Sequence, residues 1–242
     1  MRMRTVTGDG SVGVDLDETA SVGGFFALRT GTPGDGHAPL ARLYAGDTAP
    51  LVARVDTVAA RLRAPERRVA ASIAHLGLAA RLWSVALGCA ALHGKVPDLD
   101  PARLHWDPDR SSPDDLCLTG TRPLPADAST IRETVQYGHL VPLAAAVRTD
   151  TRISPQLLWG NAGSALGGAV RELHTWARRG GRPEVAERAS ALAAELFAHP
   201  DLSGTVHGRA MRRRSCCLYY RCPGGGLCGD CVFDVPPQRS AH

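Results

Sequence analysis

Leu51, Val55, Val58 and Leu62 recur at steps of four, three and four, which is one face of a helix, and they predict a helix over 51–62. Pro65 then precedes a second helix, roughly 66–92, that is apolar on most sides and is therefore expected at the centre of the fold. Its most apolar part, 73–93, contains His75 and Arg81 and reads as a buried core helix and not a membrane span. A short helix over 140–147 has Pro142 in its first turn. A long one starts after Ser154–Pro155, with Ser154 as N-cap, runs to about Arg179, and is stopped by Gly180–Gly181. Pro183 opens the next, whose stripe is Val185, Ala189, Leu192 and Leu196, and Pro200 ends it. Strand signals are fewer. The stretch 21–30 has β character around Phe25 and Phe26, and 104–106 and 116–118 read as short strands joined by the turn-rich DPDRSSPDD. Residues 31–37 read as a loop, and the polar, glycine-containing residues 1–20 as loose chain. No repeat or interdomain linker interrupts the pattern. The expected class is α+β: mainly α-helical, with a small antiparallel β element and a C-terminal cysteine-rich cluster-binding segment. The expected division is a mainly helical domain over 1–210 with the cysteine segment, 211–242, packed on it.

Composition changes little in this picture. A chain of 242 residues, 44% hydrophobic and 21% charged, can bury a substantial core. The net charge of +4 is modest and the arginines are scattered apart from Arg212, Arg213 and Arg214, so no nucleic-acid footprint is expected. The first twenty residues lack an apolar h-region and read as no signal peptide, which makes a cytoplasmic location the expectation. Thiols stay reduced there, so clustered cysteines point to metal or redox chemistry more than to structural disulfides. Gly8–Asp9–Gly10–Ser11–Val12–Gly13 matches G-x-G-x-x-G in form, but VDLDETA follows it where a dinucleotide fold needs an apolar helix, so it reads as a flexible loop. The nine histidines show no H-x-x-x-H spacing; His75 and His174 are expected to be satisfied core or boundary residues, and Cys89 and Cys117 to be buried small hydrophobes. No Ser-His-Asp set, carboxylate pair or Walker loop can be argued, and no catalytic side chain is assigned.

The chemistry gathers near the end of the chain. RRRSCCLYYRCPGGGLCGDC, residues 212–231, holds five of the seven cysteines. Cys216 and Cys217 are adjacent, Cys228 and Cys231 form C-x-x-C, and Cys222 lies between the pairs. A C-x-x-C pair places two sulfurs on one turn, and the Pro223–Gly226 run can fold the chain back and bring backbone close to sulfur. Four thiolates suit zinc or an iron–sulfur cluster. A structural zinc site usually offers two C-x-x-C pairs, and adjacent cysteines in extended chain point to opposite sides, which chelates one ion poorly but can serve two irons. Iron–sulfur, zinc and redox-active thiols all remain open on spacing alone. Gly160, Gly163, Gly167 and Gly168, with Ala162 and Ala165, make one face of the long helix small; it serves either close helix packing or, with Trp159 and Asn161, the border of the cluster or a ligand.

The segment RRRSCCLYYRCPGGGLCGDCVF resembles the C-terminal signature of the FhuF-like ferric-siderophore reductases, C-C-x10-C-x2-C. VAASIAHLGLAARLWSVALG (69–88) and SPQLLWGNAGSALGGAVREL (154–173) resemble the family more weakly. The resemblance implies a 2Fe-2S cluster held by Cys216, Cys217, Cys228 and Cys231, with Cys222 departing from the pattern at a non-ligand position. It implies a cytoplasmic oxidoreductase that passes one electron to a ferric siderophore, of hydroxamate type, and releases Fe(II) for iron acquisition. The absence of a nicotinamide or flavin motif calls for an external donor such as a ferredoxin or a flavin reductase, and peripheral association with a membrane siderophore importer fits the same role. Arg212, Arg213, Arg214 and Arg221 would offset the cluster's negative charge, or else form a solvated basic face. The alternative is a zinc- or cluster-stabilised binding or sensor protein without reductase activity.

Overall fold

The computed structural model describes residues 14–237, so the G-x-G-x-x-G match at 8–13 lies outside the described residues. Helix α1 (Leu16–Ala20) begins where the Asp15 carboxylate accepts the Glu18 N–H at 2.9 Å. The loose chain expected over 1–20 is therefore corrected for 16–20, while residues 1–13 lie outside the described residues. A good cap and the burial of Thr19, whose hydroxyl meets His93 at 2.9 Å, outweigh the polar sequence. The Phe25–Phe26 region is likewise a 3-10 turn (Gly24–Phe26) and not a strand; β1 covers only Arg29–Thr30. Packing decides this, because Phe26 sits against Gly88, where a Cβ would come within 2.6 Å of its ring.

The chain continues through β2 (Ala38–Pro39), α2 (Leu40–Tyr44), α3 (Ala49–Leu62) and the 27-residue α4 (Arg67–His93). Next come β3 (Lys95–Pro97), β4 (Leu104–Trp106), β5 (Leu116–Leu118) and β6 (Pro123–Pro125). Strands β4 and β5 fall where the pattern puts them and pair antiparallel, Leu104 facing Leu118 and Trp106 facing Leu116. They form the middle of a sheet ordered β1-β5-β4-β2, in which β1 joins β5 in parallel; β3 and β6 make a separate antiparallel pair. Helix α5 (Ala128–Ile131) runs through a π-helical stretch (Arg132–Leu140) into α6 (Val141–Asp150), and the widened turns bury Gln136 and His139. Helices α7 (Pro155–Gly180) and α8 (Pro183–Phe197) follow the expected bounds closely, although Ser154 caps α7 by backbone conformation alone, without a side-chain hydrogen bond. Gly181 ends α7 with φ +64°, the left-handed conformation that suits glycine at this position.

Helix α4 is the axis of the core. It packs against α7, α3 and α8, and its window of greatest apolarity is long enough to cross a membrane by length and composition, but 72% of that window is buried within the protein. Arg81 shows how a charge survives there. It is 1% exposed, pairs with Asp115 at 2.8 Å and donates to the carbonyls of Gly24, Phe25 and Ala27, which pins the N-terminal turn to α4. The last elements are a hairpin of β7 (Val206–His207) and β8 (Arg212–Arg213) and a 3-10 turn (Tyr219–Arg221). The hairpin lies on α7 and the turn meets α4, so the cysteine segment rests on the two longest helices.

Candidate metal centre

Glycines on α7 make room for this segment. A Cβ at Gly160 would lie 1.8 Å from Ser215 Oγ, and one at Gly163 2.1 Å from Thr205 Oγ1. Gly167 faces Met211 at 3.2 Å. Over these three positions the small face receives the chain leading to the cysteines, while α7 as a whole also packs on α4.

The segment is fastened by buried polar contacts. Arg213 is fully buried; its Nη2 donates to Asn161 Oδ1 at 2.6 Å and its Nε to the Ser215 carbonyl at 2.5 Å. Asn161 in turn donates to the backbone carbonyl and hydroxyl of Ser72 on α4, and the Ser72 hydroxyl donates to the Cys217 carbonyl at 2.9 Å. Ser164 donates to Asp230 Oδ2 at 2.6 Å, while the Asp230 carbonyl accepts the Arg213 N–H at 3.0 Å. Arg212 places two N–H donors on the Cys231 carbonyl, at 3.0 and 2.8 Å, and pairs with Asp234. Arg221 pairs with Glu66 and lies over the Tyr220 ring, which meets Phe233 edge-on. Arg214 is exposed. The three consecutive arginines thus part company: one is buried, one clamps a carbonyl, one faces solvent.

The thiols of Cys216, Cys217 and Cys228 are close enough to shift one another's ionisation. The proton donated by Cys217 pulls the Cys216 thiol down to about 7, helped by the Leu218 N–H at 3.2 Å and by Arg213, while Cys231 opposes. The same hydrogen bond, seen from the donor's side, raises Cys217, and donation to Cys217 raises Cys228. Cys231 is 8% exposed, accepts the Phe233 N–H at 3.5 Å and lies within electrostatic range of Cys216. Cys217 and Cys231 are buried against the helices, whereas Cys216 and Cys228 are half-buried, so the site has an inner side and an outer edge. Leu218 adopts φ +70°, the turn that lets its N–H reach back to Cys216. Gly225 is required by a close approach: a Cβ there would meet the Tyr219 carbonyl at 2.1 Å. Cys222 is 1% exposed and sits in that turn, its N–H on the Tyr219 carbonyl and its own carbonyl on the Gly225 N–H.

Among the described residues no three His, Cys, Asp or Glu side chains converge as a single-ion site. Soft sulfur donors, backbone N–H groups on sulfur at both ends and a buried cation beside them fit a 2Fe-2S cluster chemically.

Cys89 and Cys117 are buried apart from this group, as expected; burial pushes the Cys89 thiol up to about 12. His75 is buried with no hydrogen-bond partner for Nδ1, so it is a core residue but not a satisfied one at that atom. His174 meets Ser190 at 2.8 Å on an exposed face. Ser72, Ser164 and Asp230 escaped the sequence reading: single polar residues in apolar or glycine-rich runs carry no periodic signal, and only the docking of segment on helix gives them partners.

Residues 213–233 match the family model of the FhuF 2Fe-2S C-terminal domain. The resemblance is borne out over the segment that carries it, and the chain holds a 2Fe-2S-binding domain there; the two weaker stretches, in α4 and α7, lie outside the match. No curated protein matches the chain.

Proposed function

With a 2Fe-2S domain of FhuF type at its C-terminal end as the premise, we propose that this protein is a cytoplasmic ferric-siderophore reductase, with Cys216, Cys217, Cys228 and Cys231 as the cluster ligands and Cys222 outside the set. The observation that carries the reading is the match of 213–233 to the FhuF 2Fe-2S domain, a segment that holds Cys216, Cys217, Cys228 and Cys231 together with the buried Arg213. When bound, the cluster supplies one-electron transfer. The chelate's Fe(III), held by hard oxygens, gains one electron and becomes Fe(II), which those oxygens hold far more weakly; no bond to the protein is made. A one-electron carrier protein of ferredoxin or flavin-reductase type replaces the electron.

The chain's own residues divide the remaining work. Residues 211–242 hold the cluster and 1–210 hold the chelate. Arg213, for which no ion pair occurs among the described residues, brings positive charge to a group that gains negative charge on reduction. Ser72, Asn161 and Ser164 fix the inner side. The half-buried edge at Cys216 and Cys228, next to exposed Arg214, is the face open to an acidic donor.

The test is chemical reduction of the purified protein followed by mixing with excess ferric trihydroxamate and an Fe(II) trap. Reoxidation with one trapped Fe(II) per electron is expected. A reduced protein that stays reduced beside the chelate sinks the reductase reading and leaves a cluster-bearing sensor or binding protein.

A further inference from the structure

A pocket of about 150 Å³ lies beside β1 and β5, between the loop 31–37 that joins β1 to β2 and the turn that joins β4 to β5. Arg29 and Thr30 of β1, Thr32 and His37 of the loop, Arg110 of the turn and Cys117 of β5 line it, and none of its lining belongs to the cysteine segment. One of these groups lacks an explanation in the fold. The His37 side chain is 3% exposed, and neither ring nitrogen has a hydrogen-bond partner; Asp107 Oδ2 stands 3.9 Å from Nδ1, too far for one. A neutral imidazole carries one N–H donor in either tautomer, and burying it unpaired costs free energy that a bound acceptor restores. The loop is shaped to keep the ring there. Gly36 adopts φ +91°, and a Cβ on it would meet Asp107 Oδ2 at 2.9 Å, so glycine is what lets the loop close over Asp107.

Two guanidinium groups line the same space. Asp107 is buried and accepts both the Asp109 N–H and Arg110 Nε, each at 2.9 Å, so it orients Arg110; no hydrogen bond among the described residues uses the Arg110 Nη groups. Arg29 meets Asp114 at 3.3 Å with both side chains more than half exposed, a contact that a bound anion can replace at little cost. No carboxylate lines the pocket, and Thr30 and Thr32 add hydroxyls. We infer that this pocket binds a tetrahedral oxyanion of the phosphate class, with Arg29 and Arg110 supplying charge and forked N–H donors and His37 the inner donor. The volume lies below the range of sites that enclose a drug-sized ligand, so it seats one phosphate group and leaves anything esterified to it in solvent. A metal ion is the poorer occupant. His37 and Cys117 offer it two ligands, no three metal-binding side chains converge among the described residues, and both arginines repel it.

The experiment is calorimetric titration of the purified, cluster-bearing protein with inorganic phosphate, with glycerol phosphate and with chloride at matched ionic strength. One phosphate group per chain and no saturable uptake of chloride are expected. Tighter binding of inorganic phosphate identifies the free ion as the occupant; tighter binding of glycerol phosphate identifies a monoester. Arg29→Gln and Arg110→Gln should each raise the Kd by about tenfold or more, the loss of one charge-assisted contact. Arg179→Gln, at the exposed end of α7, should leave it unchanged. His37→Leu removes an unpaired polar ring from the interior, so it should weaken phosphate binding while keeping or raising the thermal midpoint of the free protein. Hydrogen exchange on the unaltered protein supplies a reading that no folding defect can spoil: phosphate should protect 30–37. Absence of saturable binding of both phosphate compounds, a Kd unmoved in both arginine variants, or protection confined to other segments overturns the site. Stoichiometric Zn(II) binding that is lost in Cys117→Ser would give the pocket to a metal instead.

Discussion

Arg213 is the residue on which the cluster's electrostatics turn. Its neighbours Arg212 and Arg214 point their charge at Asp234 or into solvent, where salt screens it. Arg213 is fully buried, and unit charges about 6 Å apart at an effective dielectric of about 20 interact by about 3 kcal/mol, on the order of 100 mV for one electron. Arg213→Gln should therefore lower the midpoint potential by up to that order, Arg213→Lys by much less, and Arg214→Gln by little, with the Arg214 effect vanishing at high salt. Potentiometric titration of the three proteins decides it; equal shifts for Arg213→Gln and Arg214→Gln would show that burial is irrelevant. At the same scale, Cys222→Ser should retain the 2Fe-2S spectrum and two irons per chain. Serine at 216, 217, 228 or 231 should abolish the cluster or shift its absorption, because a hard oxygen is a poorer ligand for this centre. Bleaching by Cys222→Ser, with one of the adjacent cysteines dispensable, would exchange Cys222 for a member of that pair.

Helix α7 shows how an element can be built against its own propensity. Glycine in a helix interior costs roughly 1 kcal/mol relative to alanine, yet α7 places Gly160, Gly163, Gly167 and Gly168 within nine residues. At Gly163 a Cβ would press on both Thr205 Oγ1 and its Cβ, at 2.1 and 2.7 Å, whereas at Gly168 the nearest atom is the end of Arg171 at 3.7 Å. Gly168→Ala should raise the thermal midpoint, by roughly 0.5–1 kcal/mol of stability. Gly163→Ala, with the same gain in propensity, should instead lower the iron content, since the chain leading to the cysteines must move. Calorimetry with iron analysis separates the two; a cluster fully retained in Gly163→Ala would mean that the hairpin's seat on α7 does not matter to it.

For the molecule as a whole, acid sensitivity follows from two buried histidines. His75 and His139 are both held down to about 4 by burial. His139 is fixed as the neutral ring: Nε2–H must donate to the Leu99 carbonyl at 2.6 Å, so Nδ1 accepts from the Tyr44 hydroxyl at 2.9 Å. Because the folded values lie below the unfolded value near 6.5, the unfolded chain binds more protons between pH 6.5 and 4. Stability is full above 6.5, falls as the pH drops through that window, and loses nothing further from these groups below it. Each group accounts for about 3 kcal/mol across the window. Urea midpoints followed from pH 7 to 4 should show this slope, and His75→Leu should roughly halve it; an unchanged slope in the variant would assign the acid sensitivity elsewhere.

Amino-acid order alone determined the helices α3, α4, α7 and α8 nearly to their ends, since long apolar periodicity, Pro starts and the Gly181 stop act locally. It also determined the β4–β5 pair and the cysteine spacing, because a C-x-x-C turn and a short turn-linked pair are set by neighbours in the chain. Long-range packing decided the rest. Phe25 and Phe26 have strand propensity but form a 3-10 turn, because Gly88 offers a seat for one ring and Arg81 gathers three carbonyls from this stretch. Three arginines alike in sequence acquired three environments only when β8 met α7, where Asn161 buries one of them. Ser72, Ser164 and Asp230 became parts of the site for the same reason: a lone polar residue has no local partner to reveal it, and its partner here lies 66 to 145 residues away along the chain.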